Sequence, residues 1–449
     1  MSTTTATPEH IAATTHPDQR QIRRVAWASL VGTALESYDF YVYAYFAAFF
    51  VGPLFFEPLG QVGAVFTAFL TIAIAFVVRP IGALIFGHIG DRLGRRPTLI
   101  ITITLMGVAT GLIGVLPSYA QAGWLGAIVL VLLRTVQGLS LGGEWGGAIL
   151  LATEGADPKR KALYAALPQL GSPIGSILSG TLFLVMFYAV PAEQMVEWGW
   201  RIPFLTAIPL LLVSLYLRWS VKETPVFRQL DAGDLRPKFP FGEVWRAQPK
   251  AVIVAIGAAL LGIGSYSLMN TYTMNYGSTP VEAGGLGFDY MSLLIATTIG
   301  GLLQLVTIPL FGHWATRIGS ARIVGLGGIT TLAAAFPIYL LLTEANFGVL
   351  VALMVVGGVL PTLAWAGLGG LMRDLFDPRY AYTALGFAYA IAATLTAFIP
   401  NITLIVGEAS GNAWWHPAIV LAVLSAITLV AAIAADRMVR AGKGAPDAR

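Results

Sequence analysis

Long apolar stretches, separated by short polar or glycine- and proline-rich breaks, recur along the whole chain. A helix needs roughly 20 apolar residues to cross the hydrocarbon core of a bilayer. Backbone polar groups in lipid must be satisfied within the segment, so each stretch is predicted to be an α-helix. The pattern predicts twelve membrane spans, at residues 26–51, 62–86, 98–117, 124–153, 162–189, 200–219, 250–276, 289–311, 323–343, 347–371, 380–406 and 414–436.

Composition agrees with a membrane protein. Hydrophobic residues make up 56% of the chain and charged residues 11%, whereas soluble domains carry about 25% charged residues. The polar N-terminus lacks the apolar core of a cleavable signal peptide. There is no cysteine, so disulfide and thiolate chemistry are excluded. The basic isoelectric point is explained by basic membrane loops, and no nucleic-acid partner is expected.

The distribution of Lys and Arg predicts the orientation. If the N-terminus is cytoplasmic, 24 of the 27 Lys and Arg residues fall on the cytoplasmic side, with Arg218 counted in the central loop. Cytoplasmic loops of membrane proteins are enriched in these residues. We therefore expect a multi-pass inner-membrane protein, surrounded by the lipid bilayer, with both termini cytoplasmic.

The two halves of the chain are related. The segment 87–96 follows the second span, and a similar segment, 312–321, follows the eighth. Such repeats are typical of transporters, whose substrate site lies where the halves meet. The predicted organisation is an N-terminal tail, a six-helix bundle, a cytoplasmic central loop, a second six-helix bundle and a C-terminal tail, at residues 1–25, 26–219, 220–249, 250–436 and 437–449.

Several function classes lack their sequence signals. There is no GxxxxGKS/T loop, which argues against ATP-driven transport by this chain alone. No nucleophile–base arrangement, cofactor loop or paired metal-ligand spacing is present. We therefore expect no enzyme activity, no cofactor and no metal site.

The first span contains two acids. Glu36, Asp39 and Tyr43 follow the i, i+3, i+7 spacing of one helical face. Asp39 is predicted to lie ~18 Å into the membrane. Ionisable groups at this depth are costly and are functional candidates. Burial disfavours a charged carboxylate and a nearby arginine favours it, so both acids are candidates for proton coupling, with helix–helix bonding as the alternative.

The second and fourth spans add two arginines. Arg134 lies at a depth comparable to Asp39 and is predicted to pair with Asp39 or Glu36. A guanidinium group also binds a substrate carboxylate through two hydrogen bonds. Arg79 is predicted roughly 12 Å from the inner end of its span, with snorkelling to the interface as the alternative.

Further polar positions complete the candidate site. In the fourth span, Gln137 is a substrate-binding candidate and Glu144 a third proton-coupling candidate. The C-terminal half contains almost no intramembrane charge, and Asn270 is its substrate-binding candidate. Tyr43 is assigned to substrate binding with them. The sequence thus predicts that the N-terminal half carries the proton-coupling groups. The C-terminal half is predicted to supply the shape of the substrate site and hydrogen bonds.

These residues resemble the major facilitator superfamily and, within it, the metabolite:proton symporter family. The loop 87–97 is similar to the superfamily signature GxxxDRxGRR. The more specific segments lie in residues 25–230 and are Glu36-Ser-Tyr-Asp39, Arg79-Pro-Ile-Gly, Gln137-Gly-Leu-Ser-Leu-Gly-Gly-Glu144, Gln169-Leu-Gly-Ser-Pro and Trp200-Arg-Ile-Pro-Phe.

The resemblance implies an all-α fold of two six-helix bundles that rock in alternating access. It also implies proton-driven uptake of a small organic acid or zwitterion, the class that includes α-ketoglutarate, citrate, shikimate, proline and betaine. The signature loop implies conformational gating, in which its aspartate faces a helix end and its arginine faces an acid. The corresponding residues are Gly87, Asp91, Arg92, Gly94 and Arg95.

The second copy of the signature departs from the first, because Thr316 stands at the position of Asp91. The C-terminal half of the gate is therefore expected to be weaker or to be closed by different contacts. The leading hypothesis is a monomeric proton symporter for a carboxylate or zwitterion. A proton-driven exporter and a transport-dead sensor remain as alternatives.

Overall fold

The computed structural model describes residues 19–344 and 346–445, and within them the side chains of all but residues 19–23 and 65. This part of the chain contains helices and no strand. Eleven helices are long and apolar enough to cross a membrane, and one bent helix pair makes a twelfth span. The twelve-span prediction is therefore confirmed.

Helix α1 covers Gln19–Phe46 and continues through a π-helical turn, Ala47–Val51, into a short helix, Gly52–Phe55. The chain then bends by 82° into Glu57–Ala64. The other spans are named α2 to α12 in chain order and cover Phe66–Leu93, Arg95–Ile113, Trp124–Glu154, Pro158–Ala189, Gly199–Ser220, Pro249–Ser278, Tyr290–Ile318, Ser320–Leu342, Phe347–Leu375, Ala381–Ala409 and His416–Arg440.

Two groups of six helices pack around separate apolar cores. One core lies wholly within α1–α6, and the other lies mainly within α7–α12. In the first group α1 packs on α5, and α4 packs on both α2 and α3. In the second group α9 packs on α12 and α10, and α10 also packs on α8.

One end of the molecule, here called the basic face, carries the α2–α3, α4–α5 and α8–α9 connections and the central segment. Two short helices of that segment, Pro225–Ala232 and Pro240–Ala247, pack there. The ring of Phe227 lies 5.3 Å from the Arg95 guanidinium, and Phe241 packs edge-on against Phe387 of α11. The central segment therefore touches both groups of helices.

Near the basic face the two bundles are in close contact. Helix α11 packs against α2 and α4, while α5 packs against α8 and α10. Small residues allow this approach. A Cβ atom on Gly87 would lie 2.7 Å from the Cα of Thr383, and one on Gly146 would lie 2.9 Å from the backbone N of Gly386.

Within the N-terminal bundle, α2 and α4 approach still more closely. A Cβ atom on Gly142 would overlap the backbone of α2 at Arg79 and Ala83. A backbone obstacle cannot move aside as a flexible side chain can. The position of Arg79 in the molecule therefore depends on a glycine at position 142.

We predict that Gly142→Ala destabilises the protein, because overpacking a close interface costs about 1–3 kcal/mol. Gly301→Ala is the control, since a Cβ atom there meets nothing within 4 Å, and it should change stability by less than about 0.5 kcal/mol. Thermal unfolding of both purified variants measures the difference. Equal midpoints would contradict the proposed close contact of α2 and α4.

Candidate functional site

A buried polar cluster surrounds Asp39 inside the N-terminal bundle. The Gln137 side-chain amide donates to Asp39 Oδ1 at 2.7 Å, and the Thr110 hydroxyl also donates to this oxygen. Arg134 Nη1 donates to Gln137 Oε1 at 2.8 Å. Gln137 thus joins the acid and the arginine, whereas the sequence predicted a direct pair.

Arg134 is also held by an aromatic ring. Its guanidinium carbon lies 3.6 Å from the centre of the Tyr43 ring. The Tyr43 hydroxyl donates to the Thr71 hydroxyl at 2.7 Å. A cation over an aromatic face in a dry site gains about 2 kcal/mol or more. Tyr43 therefore orients Arg134 rather than facing the space between the bundles.

Asp39 retains one free oxygen. Its side chain is 1% exposed, and Oδ2 has no hydrogen-bond partner among the described protein groups. A buried carboxylate oxygen without a partner is costly. Protonation of that oxygen would remove part of the cost, which makes Asp39 chemically suited to take up a proton.

A cavity of about 150 Å³ lies between the two bundles. Its walls come from both halves and include seven aromatic residues. The parallel Trp145 and Tyr389 rings lie 4.2 Å apart at one side. The remaining aromatic lining residues are Phe40, Tyr41, Phe76, Tyr266 and Trp365.

Among its described lining residues the cavity has one acid, Glu36, and one arginine, Arg79. The Arg79 guanidinium lies 4.4 Å from the centre of the Phe76 ring. Its Nε atom is buried and has no hydrogen-bond partner among the described residues. The two charged groups lie within electrostatic range of each other. The cavity therefore offers a cation with an unused donor beside an acid.

Three side-chain amides also line the cavity. Asn270 and Gln304 make only long bonds, at 3.4 and 3.5 Å, to backbone oxygens of their own bundle. Gln169 accepts from the Trp145 indole at 2.9 Å and donates to the Trp365 backbone oxygen at 3.0 Å. Gln169 thus holds a wall residue from each bundle.

A second acid–arginine pair is buried nearer the basic face. Arg218 Nη2 contacts Glu144 Oε1, and the Thr102 hydroxyl donates to Glu144 Oε2 at 2.8 Å. Both charged side chains are 1% exposed. The sequence count assigned Arg218 to the central loop, but it lies inside α6.

At the basic face, Asp91 binds the N-terminus of α11. It accepts hydrogen bonds from the backbone N–H groups of Tyr382 and Thr383 at 3.1 and 2.9 Å, and from the Thr383 hydroxyl at 2.7 Å. The first N–H groups of a helix have no partner within it, and a carboxylate there is stabilised by the helix dipole. Asp91 therefore connects the bundles.

Arg95 completes this contact. It lies 3.2 Å from Asp91 and 3.4 Å from Glu154, and it donates to the backbone oxygen of Pro378 at 2.7 Å. Arg92, which the resemblance also implied, is exposed. Arg95 rather than Arg92 is the residue that faces the acids in this conformation.

Two of the three glycines of the signature loop, Gly87 and Gly94, have separate roles. Gly94 has a φ angle of 118° at the junction of α2 and α3, a conformation that other residues rarely adopt. Gly87 has no side chain, and α11 can therefore approach it closely at Thr383.

Glu223, in the central segment, also contacts this loop. Its carboxylate accepts a hydrogen bond from the Arg96 backbone N–H at 3.1 Å, and burial raises the pKa of the carboxyl group.

Among the described residues, the second signature loop makes no comparable charged contact across the interface. Thr316, at the position equivalent to Asp91, donates to the backbone oxygen of His313 within its own helix at 2.6 Å. The neighbouring α5–α8 interface is close and apolar, with Gly312 against Ala166. The basic face is therefore closed by charge on one side and by small apolar residues on the other.

Comparison with known proteins decides the family. A model described as "Sugar (and other) transporter" matches residues 25–238. The chain is 37% identical over 403 residues to the inner membrane metabolite transport protein YhjE of Escherichia coli (strain K12), covering 89% of this chain and 90% of that protein. It is 32% identical over 412 residues to the shikimate transporter of the same strain, covering 90% and 92%.

The chain belongs to the metabolite transporter family of the major facilitator superfamily. Its fold is that of the proton:xylose symporter XylE bound to 6-bromo-6-deoxy-D-glucose, with a TM-score of 0.72 at 17% identity, covering 94% of this chain and 96% of that structure. The resemblance drawn from the motifs is thus confirmed. The protein is a multi-pass membrane transporter and not an enzyme.

Several groups of this transporter's site were not singled out from the sequence. Arg218, Thr110, Gln169 and Tyr389 contribute to it, and only Gln169 lay in a segment quoted for the resemblance. No group of three or more His, Cys, Asp or Glu in the described residues could hold a metal ion.

We predict that Asp91→Ala weakens closure of the basic face. The loss of one hydrogen bond to a charged group costs about 1.5–3 kcal/mol, which corresponds to at least about tenfold in an equilibrium. The chain has no cysteine, so a single cysteine at the cavity residue Ser172 can report access. Labelling by an impermeant thiol reagent from the basic face should accelerate by about that factor.

Thr316→Ala is the matched control, because Thr316 makes no bond across the interface in the described structure. Its labelling rate should equal that of the parent. Equal rates in Asp91→Ala and the parent would show that Asp91 does not hold the interface closed.

Proposed function

We propose that this transporter carries out proton-coupled uptake of a small organic acid or zwitterion by alternating access. The observation that carries the proposal is the placement of Glu36 and Arg79 in one cavity between the bundles. Arg79 supplies a cation for a substrate carboxylate, and Glu36 supplies an acid that can hold a proton. The cavity lies within one chain, so a monomer suffices.

The orientation follows from the charge distribution. Most Lys and Arg residues lie at the basic face, and cytoplasmic loops are enriched in these residues. We assign the basic face to the cytoplasm, with both termini there and the protein in the inner membrane. In this conformation the cavity is then closed toward the cytoplasm.

The cavity's chemistry favours a substrate with a carboxylate on a compact body. The Arg79 guanidinium has an unused donor, and charge-assisted bonds to carboxylates are the strongest hydrogen bonds available to it. Aromatic walls fit an apolar ring, and they also attract the cationic end of a zwitterion. Asn270 and Gln304, with weak bonds of their own, are free to bond the substrate body.

Charge balance supports coupling to protons. Around the cavity the acids Glu36, Asp39 and Glu144 match the arginines Arg79, Arg134 and Arg218 in number, and all six are at least nine-tenths buried. An added carboxylate would leave one uncompensated negative charge in a low-dielectric site. Uptake of one proton, by Glu36 or Asp39, removes that charge. Substrate and proton therefore favour each other's binding.

The geometry supports the following roles within the proposed site. Arg79 and Asn270 contact the substrate, and Glu36 exchanges a proton beside it. Asp39 is a second proton site, held by Gln137 and, through Gln137, by Arg134. Asp91 and Arg95 hold the cytoplasmic side closed until the bundles rock apart.

The substrate is identified by thermal shift against α-ketoglutarate, citrate, shikimate, proline and glycine betaine. A ligand at about 100 times its Kd stabilises a protein by about 2.7 kcal/mol. Arg79→Ala should abolish the stabilisation that the parent shows, because the cavity loses its cation. Arg317→Ala, on an exposed residue at the end of α8, should keep it. Retained stabilisation in Arg79→Ala would rule out Arg79 as the substrate arginine.

Proton coupling is measured by uptake into proteoliposomes. The labelled probe is the panel compound that stabilises the protein in the thermal-shift experiment. The parent should accumulate the probe when a pH gradient is imposed. Glu36→Gln and Asp39→Asn should lose most of this accumulation, because neither amide can release a proton. Undiminished gradient-driven accumulation in both variants would disprove coupling through these acids.

A further inference from the structure

Gly32 allows the Glu144–Arg218 pair to pack against α1. A Cβ atom at Gly32 would overlap Arg218 Nη2 and would lie 3.1 Å from Glu144 Oε1. The pair therefore occupies the space that a side chain on α1 would fill. Gly32 is four residues from Glu36, about 6 Å along the helix axis, and on the same face.

The direction of the Glu36 side chain brings the two sites together. Side chains in a helix tilt toward its N-terminus, and the N-terminal end of α1 lies at the basic face. Glu36 therefore leans from the cavity toward Gly32 and the pair. Electrostatic coupling between Glu36 and both members of the pair is consistent with this geometry.

On its other side the pair is covered by Tyr382 of the opposite bundle. The Tyr382 hydroxyl donates to the backbone oxygen of Gly143 at 2.7 Å, next to Glu144, and the tyrosine is completely buried. Tyr382 is the second residue of α11, the helix whose N-terminus Asp91 binds. When α11 leaves α2 and α4, Tyr382 leaves with it and the pair opens to the basic face.

Arg218 has more unsatisfied hydrogen-bond donors than a residue with a purely structural role would be expected to have. Its Nε and Nη1 atoms are buried and have no partner among the described residues. A buried ion pair is stabilising only when its remaining hydrogen-bonding groups are satisfied. Arg218 thus has two donors available when the interface opens.

We propose that the Glu144–Arg218 pair is the exit site for the transported proton, with Arg218 as the positioning residue that holds the Glu144 carboxyl group in place near Glu36. This inference rests on the proposed proton coupling. The proton moves from the Glu36 carboxyl group to the Glu144 carboxylate, and then from Glu144 to water at the basic face. Both carboxylates are left ionised, beside Arg79 and Arg218 respectively.

Other groups define the electrostatic setting of this step. Arg218 is the direct partner of Glu144, and Thr102 of α3 donates to it. The charged and titratable groups facing Glu36 and the pair from the surrounding helices are Asp39 on α1, Arg79 and Asp91 on α2, Arg95 on α3, and Tyr382 and Tyr389 on α11.

The test compares two transport modes of the proteoliposomes described above, using the same labelled panel compound. Counterflow exchanges probe for probe without net proton movement, whereas gradient-driven accumulation requires proton release at the basic face. The main variant is the double change Glu144→Gln with Arg218→Gln, because removing one partner alone leaves a buried charge that costs about 3–5 kcal/mol.

In the double variant, gradient-driven accumulation should fall at least about tenfold, within the range of coupling between two sites. Counterflow should fall no more than about threefold. Gly32→Ala should show the same split, because its methyl group displaces Arg218 from Glu144. Ser214→Ala, on α6 one turn from Arg218, and Gly301→Ala are the controls and should retain both modes.

If the pair has only a structural role, the double variant should lose counterflow and gradient-driven accumulation to the same extent, or lose neither. Either result overturns the proposal. If the double variant no longer folds, Gly32→Ala decides by the same split. If the parent shows no gradient-driven accumulation of any panel compound, the proposed proton coupling fails and this inference fails with it. If the parent accumulates a panel compound under a pH gradient, and the double variant and Gly32→Ala accumulate it equally well, only the exit-site proposal is overturned.

Discussion

The cost of charge in a membrane governs the arrangement of this transporter. Six ionisable side chains lie inside the N-terminal bundle, and each is at least nine-tenths buried. Water cannot compensate them there, so each must find an opposite charge, a hydrogen-bond donor or an aromatic face. The structure uses all three: Arg218 for Glu144, Gln137 for Asp39, and the Tyr43 ring for Arg134.

Among the described residues this compensation is incomplete at three of the six groups. Arg79 has an unused nitrogen, Asp39 an unused oxygen, and Arg218 two unused nitrogens. Groups whose partners are missing in one conformation are the groups that a substrate, a proton or water can satisfy in another. The same physical cost that makes such groups rare in membranes therefore supplies the driving force for binding and release.

The closure of the basic face depends on two different interactions. On the α2–α11 side, Asp91 binds free N–H groups at a helix start, and Arg95 secures it. On the α5–α8 side, small apolar residues make the contact. The departure at Thr316 from the signature pattern is explained by this difference, because an apolar interface between close helices requires no carboxylate. The pseudo-symmetry of the fold is thus retained in the backbone but not in the chemistry.

The sequence alone determined the number of spans, the family and the half of the molecule that holds the charges. Hydrophobic length and the cost of unpaired backbone groups in lipid dictate the spans, and intramembrane charges are rare enough to be noticed. Only the tertiary structure decided how the charged groups are distributed. Glu36 and Asp39 share a helical face, yet one lines the cavity and the other binds Gln137 within the bundle. Arg218 looked like part of a basic loop, and its partner Glu144 is 74 residues away in the chain. Such pairings depend on the rotation and close approach of neighbouring helices, set by glycines such as Gly32, and local sequence patterns do not encode the identity of a distant neighbour.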